Sequence, residues 1–461
     1  MYIFAYCIPM KNTQYTAKKG YFYHIITFGC QMNKNDSERL ATLLGAMGMK
    51  ETSHEKDADV IFMNSCSVRQ SAEDRVFGLA RKFKKLKKKR PDLIVGITGC
   101  MPGRDRDGRM RALLPEVDLF FPTKDMIHLP KWLMELNPNF RPMEDLEEDY
   151  LALQPTHTHT VQAFVTIQTG CNHFCTYCVV PFSRVLEINR PLHDILQEVR
   201  TLAVQGCLEI TLLGQIVNHY IAPDPDYFSS NNLYQESDFA KLLWELNQIE
   251  GIARIHYTAP HPLYMTDEVI DALTLPKQVN FLHLPVQSGN SDMLKKMNRR
   301  HDRDFYIHLI ERIRAKKPNI AIGTDIIVGF CGETEEQFAD TYSLYDLCDF
   351  DISYTAQYSE RTHTVAARAF SDDVPKEEKK KRWWALQHLM EGIVFRKNQV
   401  YKQTTVSVLV DHYEHEYCTG NSREMKRVRF KGNSDMVGTI QDVAIYKADE
   451  WMLWGKILVS S

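Results

Sequence analysis

The sequence predicts a multidomain α/β protein. An N-terminal doubly wound parallel α/β domain is followed by a central partial (β/α)6 barrel and a small antiparallel β-barrel. Three observations carry this. Apolar strand-like runs alternate with helical patterns over roughly the first 370 residues. From Thr404 on, the pattern changes to short strands broken by Gly, Asn, Asp and Ser. The 461 residues, 44% of them hydrophobic, provide cores for two to four domains.

In the first part, "HIITFG" (24–29), "DVIFMNS" (59–65), "DLIVGITG" (92–99) and "VDLFFP" (117–122) read as buried strands. "NDSERLATLLGAMGM" and a basic stretch from about Arg69 to Arg90 read as helices between them. Strands joined by helical crossovers imply a parallel sheet covered on both faces. Residues 141–160 are acidic, then rich in Pro and Thr, with no period, and read as a linker. Six further strands are expected at 162–168, 208–214, 253–259, 280–286, 321–330 and 350–358. Six βα units suggest a barrel left open where two units are missing. Pro375 to about Lys402 is charged and helical, and "TTVSVLV", "REMKRVRF", "MVGTIQDVAIY" and "WMLWGKILV" give the terminal barrel. The expected boundaries are an extension at 1–20, domains at 21–140, 161–398 and 399–461, and the linker at 141–160.

A net charge of −3 gives no global sign of polyanion binding, so any nucleic-acid site must be a local patch. Eleven cysteines in so long a chain are too sparse for a secreted disulfide scaffold and favour a reducing, cytoplasmic setting. The apolar start lacks a basic region and a cleavage site, and no run of 18 apolar residues exists, so neither a signal peptide nor a membrane span is expected. No feature demands more than a monomer.

Six cysteines stand in patterned places. Cys171, Cys175 and Cys178 follow the first barrel strand with C-x3-C-x2-C spacing. Reactive groups in such barrels sit at the carboxyl ends of the strands. Three thiolates can hold three irons of a [4Fe–4S] cube and leave the fourth iron open. An open iron can chelate the amino and carboxylate groups of S-adenosylmethionine, and an electron can then cleave the adjacent C–S bond. The alternative is a zinc site with His173 as fourth ligand. Cys30, Cys66 and Cys100 each follow a predicted strand, at intervals of 36 and 34 residues. That spacing places all three at one carboxyl edge of a parallel sheet, where open α/β folds bind ligands. The alternative there is three buried structural cysteines. Cys7, Cys207, Cys331, Cys348 and Cys418 show no such placement.

With these motifs the chain resembles the radical S-adenosylmethionine methylthiotransferases, from about residue 22 to 461. "TFGCQMNKNDSE" (27–38), "NSCSVRQSAE" (64–73), "GCNHFCTYCVVPFSR" (170–184), "EITLLGQIVNHY" (209–220), "HLPVQSGN" (283–290) and "TDIIVGFCGETEEQF" (324–338) look like the MiaB branch, which modifies tRNA. Gln31-Met32-Asn33 and Val179-Val180-Pro181 separate it from the sister branch that modifies a ribosomal-protein aspartate. Val185, Ile216, Cys331 and His363 depart from the usual pattern. The resemblance implies two [4Fe–4S] clusters, each with an open iron. One, on Cys171, Cys175 and Cys178, makes a 5′-deoxyadenosyl radical from S-adenosylmethionine. The other, on Cys30, Cys66 and Cys100, carries sulfur that a second S-adenosylmethionine methylates. The implied product is a 2-methylthio group on N6-isopentenyladenosine 37 of tRNA. The alternatives keep the chemistry but change the acceptor, or make the chain a passive RNA-binding iron–sulfur or zinc sensor. The resemblance also implies a TRAM-like terminal barrel, a flavodoxin- or ferredoxin-type electron donor and a sulfur donor or carrier.

Candidate S-adenosylmethionine contacts are Tyr177, Arg184, Gln215, Asn218, Gln287, Ser288, Arg299 and Asp325, set against packing or turn-capping roles. His283 reads as a core histidine. "RKFKKLKKKR" (81–90), with eight cations in ten residues, and "KRVRFKG" (426–432), with Phe430 among its cations, are the candidate phosphate patches for a tRNA anticodon stem-loop.

Overall fold

The structure is a computed structural model and describes residues 20–68, 70–140, 150–157 and 161–458. The N-terminal extension with Cys7, Arg69, most of the linker and the last three residues lie outside the described residues.

The first sheet is wholly parallel. It contains β1 (Phe22–Thr27), β2 (Lys50–Glu51), β3 (Val60–Ser65), β4 (Ile94–Gly99) and β5 (Leu119–Phe120), in the order β2-β1-β3-β4-β5. Every residue of β3 and β4 is buried, because helices cover both faces. Helix α1 (Gln31–Ala46) packs Leu40, Leu43 and Leu44 into the core on one side, with Phe62 and Leu129. Helix α2 (Gln70–Lys87) packs Val76, Ala80 and Phe83 on Ile61, Met63 and Ile97 on the other. β2 went unread because two exposed residues give no period.

The expected linker is not loose where it is described. Tyr150, Leu151 and Leu153 are buried, and Arg39 of α1 donates to the carbonyls of Tyr150, Leu151 and Leu153. Its apolar residues join the core that α1 covers, and no period marks them. His157 ends this segment between two carboxylates, with Nδ1 3.5 Å from Glu38 and Nε2 3.3 Å from Glu198. Burial opposes its charge, but Glu198 and Glu38 outweigh that and push its pKa from 6.5 up to about 9. A raised pKa stabilises the fold fully below the unfolded value and loses that stabilisation as pH climbs through the folded one. The melting temperature should therefore fall between about pH 6.5 and 9 by an amount matching roughly 3 kcal/mol. His157→Gln should flatten the profile in that window.

The central unit begins with β6 (Gln162–Thr166). A short antiparallel pair, β7 (Gln168–Thr169) and β8 (Ile188–Asn189), brackets the cysteine loop. Then come β9 (Glu209–Leu213), β10 (Arg254–Tyr257), β11 (Phe281–His283), β12 (Ala321–Val328) and β13 (Ile352–Gln357). The six expected strands are present as two parallel triplets, β6-β9-β10 and β11-β12-β13, with an Ile255–Gln278 bridge at the seam. Pro285 has no N–H to extend the ladder of β11, which keeps that strand short. The helix Lys376–Gln399 backs β13, where Trp383 Nε1 donates to Thr355 O at 2.8 Å.

The C-terminal strands β14 (Thr405–Glu414), β15 (Tyr417–Ser422), β16 (Arg427–Lys431), β17 (Ile440–Ala448) and β18 (Leu453–Ile457) close into a barrel, β14-β15-β16-β18-β17. Two expectations change. The β16–β18 pair is parallel, so the barrel is not wholly antiparallel. β15 was not expected, because "YCTGNS" carries turn-type residues. A Cβ on Gly420 would meet Leu409 O at 2.0 Å, so the glycine serves close strand contact rather than a turn.

Candidate functional site

The two cysteine sets lie at the carboxyl edges of two neighbouring parallel sheets. The edge set belongs to the first sheet. Cys30 is the N-cap of α1, Cys66 directly follows β3, and Cys100 opens the short helix α3 (Cys100–Arg104) directly after β4. Glycines make the approach possible. Gly29 has φ +140°, and a Cβ there would meet Asn33 Oδ1 at 2.3 Å and Cys66 Cβ at 2.8 Å. Gly99 has φ +99°, and a Cβ there would meet Asn64 Oδ1 and Ser65 O, both at 2.5 Å. Gly99→Ala should displace Cys100 and lower the iron held by this set, read as iron per chain after reconstitution.

Below the thiols, Asn33 Nδ2 donates to Asn64 Oδ1 at 3.0 Å. Asn64 Nδ2 donates to Asn33 O at 2.8 Å and to Ser37 Oγ at 2.9 Å. This pair, with Asp36, was missed as functional. Its only mark in sequence is uncharged or acidic polarity beside cysteine in strands and helices that are otherwise buried.

The loop set follows β7. Cys171 and Cys175 are buried and Cys178 is partly so. The N–H groups of His173 and Val180 point at Cys171 Sγ (3.5 Å) and Cys178 Sγ (3.4 Å), and that of Val68 at Cys66 Sγ (3.3 Å). Arg299 Nη1 lies 3.8 Å from Cys175 Sγ, and Arg184 Nε 3.4 Å from Cys100 Sγ. Backbone N–H groups and guanidiniums aimed at sulfur suit thiolates that carry an anionic iron–sulfur group, so the donor sets fit that group. Burial, then Cys175, pushes the Cys171 thiol up to about 11, and burial raises Cys178 as well. Iron loading must therefore release protons. Among the described residues no three His, Cys, Asp or Glu side chains gather round a single metal position. His173, the candidate zinc ligand, turns its Nε2 to Tyr264 Oη at 2.7 Å. Burial, then Arg300, lowers its pKa to about 4.

The remaining candidates separate by what they touch. Arg184 reaches away from the barrel to Asp36 and Cys100. Asn218 is used at both ends, donating to His261 O (3.0 Å) and accepting from His261 N (2.8 Å). Ser288 is fully buried and accepts from Asn290 N. Tyr177 packs against the cluster of Met293, Met297 and Phe330. Gln215 keeps Oε1 buried without a hydrogen-bond partner, and Gln287 holds φ +79° at the end of the barrel wall. Asp325 is 42% exposed and lies 3.1 Å from His283 Nε2. His283 is thus paired with a carboxylate that faces solvent, not sealed in an apolar core.

A cavity of about 460 Å³ lies where all three units meet. Its walls include Gln31 and Lys34 of α1, Phe164, Thr211 and His256 of the barrel, and Met425 of the terminal barrel.

The candidate phosphate patches also resolve. Four cations of the 81–90 run have acidic partners: Lys82 with Glu55, Lys84 with Glu116, Lys87 with Asp118 and Arg90 with Asp59. Lys426 turns inward toward Asp351, Arg427 pairs with Asp411, and Phe430 is 1% exposed in the barrel core. The aromatic residues beside cations are others. Arg429 lies 4.6 Å over Tyr417 and Lys447 4.4 Å over Trp454. Register places Arg429 beside Trp454 and Trp454 beside Lys447 across β16, β18 and β17.

Two family models match the chain: the Uncharacterized protein family UPF0004 at residues 22–122 and the Radical SAM superfamily at 165–345. The tRNA-2-methylthio-N(6)-dimethylallyladenosine synthase of Caldicellulosiruptor saccharolyticus is 39% identical, over 98% of this chain and 96% of that protein. The enzyme of the same name from Carboxydothermus hydrogenoformans is 39% identical, over 95% of this chain and 99% of that one. Among solved structures, the radical S-adenosylmethionine methyltransferase TsrM of Kitasatospora setae aligns at TM-score 0.47 and 12% identity, covering 76% of this chain and 77% of that one. Relatives of one name, aligned along nearly the whole chain, settle the matter: the chain belongs to the tRNA-2-methylthio-N(6)-dimethylallyladenosine synthase family of radical S-adenosylmethionine methylthiotransferases.

Proposed function

We propose that the chain adds a methylthio group to C2 of N6-isopentenyladenosine 37 in tRNA. The observation that carries this reading is the pair of three-cysteine sites at adjoining sheet edges, with Arg184 spanning them. When bound, two [4Fe–4S] groups and S-adenosylmethionine supply the electron, the 5′-deoxyadenosyl radical, the methyl group and the sulfur.

The chain's own residues hold and orient these. Cys171, Cys175 and Cys178 ligate the radical-forming group, with Arg299 steadying Cys175. Cys30, Cys66 and Cys100 ligate the sulfur-carrying group. Gln215, Gln287 and Asp325 are the contacts left facing S-adenosylmethionine at the barrel mouth, while Tyr177, Asn218 and Ser288 shape the wall behind them. The adenosine flips out of the anticodon loop toward the barrel mouth, between the two cysteine sets. The units correspond to 21–140, 161–398 and 399–461, the last TRAM-like. The outer row of Tyr417, Arg429, Trp454 and Lys447 offers stacking faces and cations to the anticodon stem-loop. A flavodoxin- or ferredoxin-type donor and a sulfur donor complete the cycle in the cytoplasm. Among the described residues no helix is long and apolar enough to cross a membrane.

The test gives reconstituted protein, dithionite and S-adenosylmethionine an isopentenylated stem-loop, and analyses the nucleosides by mass spectrometry. A 2-methylthio-N6-isopentenyladenosine product is expected. Modification only of a ribosomal-protein aspartate, or only of a differently modified adenosine, would contradict the reading. Trp454→Ala should weaken stem-loop binding roughly 5- to 100-fold, the range of one lost base stack. Lys87→Glu should change it less than about twofold, because Lys87 is already spent on Asp118.

A further inference from the structure

Arg184 stands six residues beyond Cys178, as the C-cap of the helix Val180–Ser183 that follows the cysteine loop. Its backbone belongs to the radical site, yet its side chain ends in the other one. Nε points at Cys100 Sγ (3.4 Å), and the guanidinium pairs with Asp36, which lies on the first turns of α1 after Cys30. The two side chains are 3% and 0% exposed. Asp36 also accepts from the hydroxyl of Tyr150. The backbones are in contact as well: a Cβ on Gly103 of α3 would meet Ser183 O at 2.1 Å. Arg361, after β13, holds the segment that follows Cys66 from another side. It donates to Val68 O at 3.1 Å, and the Val68 N–H points at Cys66 Sγ.

The edge set is therefore not completed by its own sheet. A three-thiolate iron–sulfur group is anionic, and one-electron reduction makes it more so. A guanidinium on one of its sulfurs stabilises the reduced state and fixes the position of the sulfur. Lysine keeps the charge but cannot place one N–H on sulfur while forking onto a carboxylate.

We infer that Arg184 is a positioning residue of the edge site rather than a contact of S-adenosylmethionine: it tunes the group on Cys30, Cys66 and Cys100 and holds it in register with the radical-forming loop. This rests on the proposed two-site chemistry.

The test uses full-length protein with Cys171, Cys175 and Cys178 changed to Ala, which isolates the edge group for an EPR-monitored redox titration. Arg184→Gln is expected to lower the reduction equilibrium about tenfold, which is about 59 mV for one electron. Arg184→Lys is expected to recover most of the shift. Because Arg184→Gln leaves Asp36 buried and unpaired, the double variant Arg184→Gln/Asp36→Asn guards against misfolding. Its midpoint should still lie below that of the parent. In the intact holoenzyme, Arg184→Gln should raise the ratio of 5′-deoxyadenosine to methylthiolated RNA about tenfold. Unmoved midpoints in both the single and the double variant would overturn the assignment. So would a weakened S-adenosylmethionine affinity with the midpoint unchanged. Absence of iron from the triple-Ala parent would overturn the two-site reading, and this assignment with it.

Discussion

Changing Cys171 to Ala should abolish 5′-deoxyadenosine formation, whereas changing Cys66 to Ala should abolish methylthiolation while S-adenosylmethionine is still cleaved. The asymmetry follows from where the two sets sit. Cys171 is fixed by the β7–β8 pair at the mouth of the barrel, where its N–H donates to Val185 O at 3.2 Å. Cys66 sits on a different sheet, with its own hydrogen-bonded floor of Asn33 and Asn64. Losing a thiolate from one set removes one ligand of that site without touching the other. High-performance liquid chromatography of 5′-deoxyadenosine and mass spectrometry of the RNA from the same reaction read both arms. Equal loss of both products in the two variants would mean that the sites are not separate.

The largest stability effect is expected at Arg190. It is wholly buried, pairs with Glu198 (3% exposed) and also donates to Thr166 O at 3.4 Å. Its own carbonyl accepts from Tyr220 Oη at 2.9 Å. These contacts tie the chain leaving the cysteine loop to the end of β6 and to the helix Leu192–Val204. Arg190→Met leaves Glu198 charged, buried and short of its partner, and removing one member of such a pair costs about 3–5 kcal/mol. Glu198 keeps His157 as a neighbour, so the loss should be smaller below about pH 9, where His157 is charged, than above it. Arg190→Met/Glu198→Gln should recover much of the stability, because the uncompensated charge is gone. Denaturant midpoints of the single and double variants decide the point. A single variant as stable as the parent would contradict it.

The fold was legible in the sequence wherever burial imposes a period. The all-buried runs of β3 and β4 and the strand–helix alternation of the central unit announce themselves. So do the six patterned cysteines: three by their C-x3-C-x2-C run, and three because near-equal spacing in a parallel sheet means equal height at its edge. Short or polar strands did not: β2 is two exposed residues, and β15 looks like a turn. The candidate contacts were harder still. Sequence places Arg184 beside the loop cysteines, but a long side chain ends far from its own backbone, and only the packing of α3 on the Val180–Ser183 helix shows it at Cys100. Cation runs are legible only in part for a related reason. Lys87 and Arg427 look available until their acidic partners, 31 and 16 residues away, are in place.

The most direct test of the central claim is iron stoichiometry after anaerobic reconstitution, in the parent and in two variants, each with one cysteine set changed to Ala. Two separate three-thiolate sites predict about eight irons per parent chain and about four in each variant. About four irons in the parent, with all of it lost from one variant and none from the other, would contradict the account.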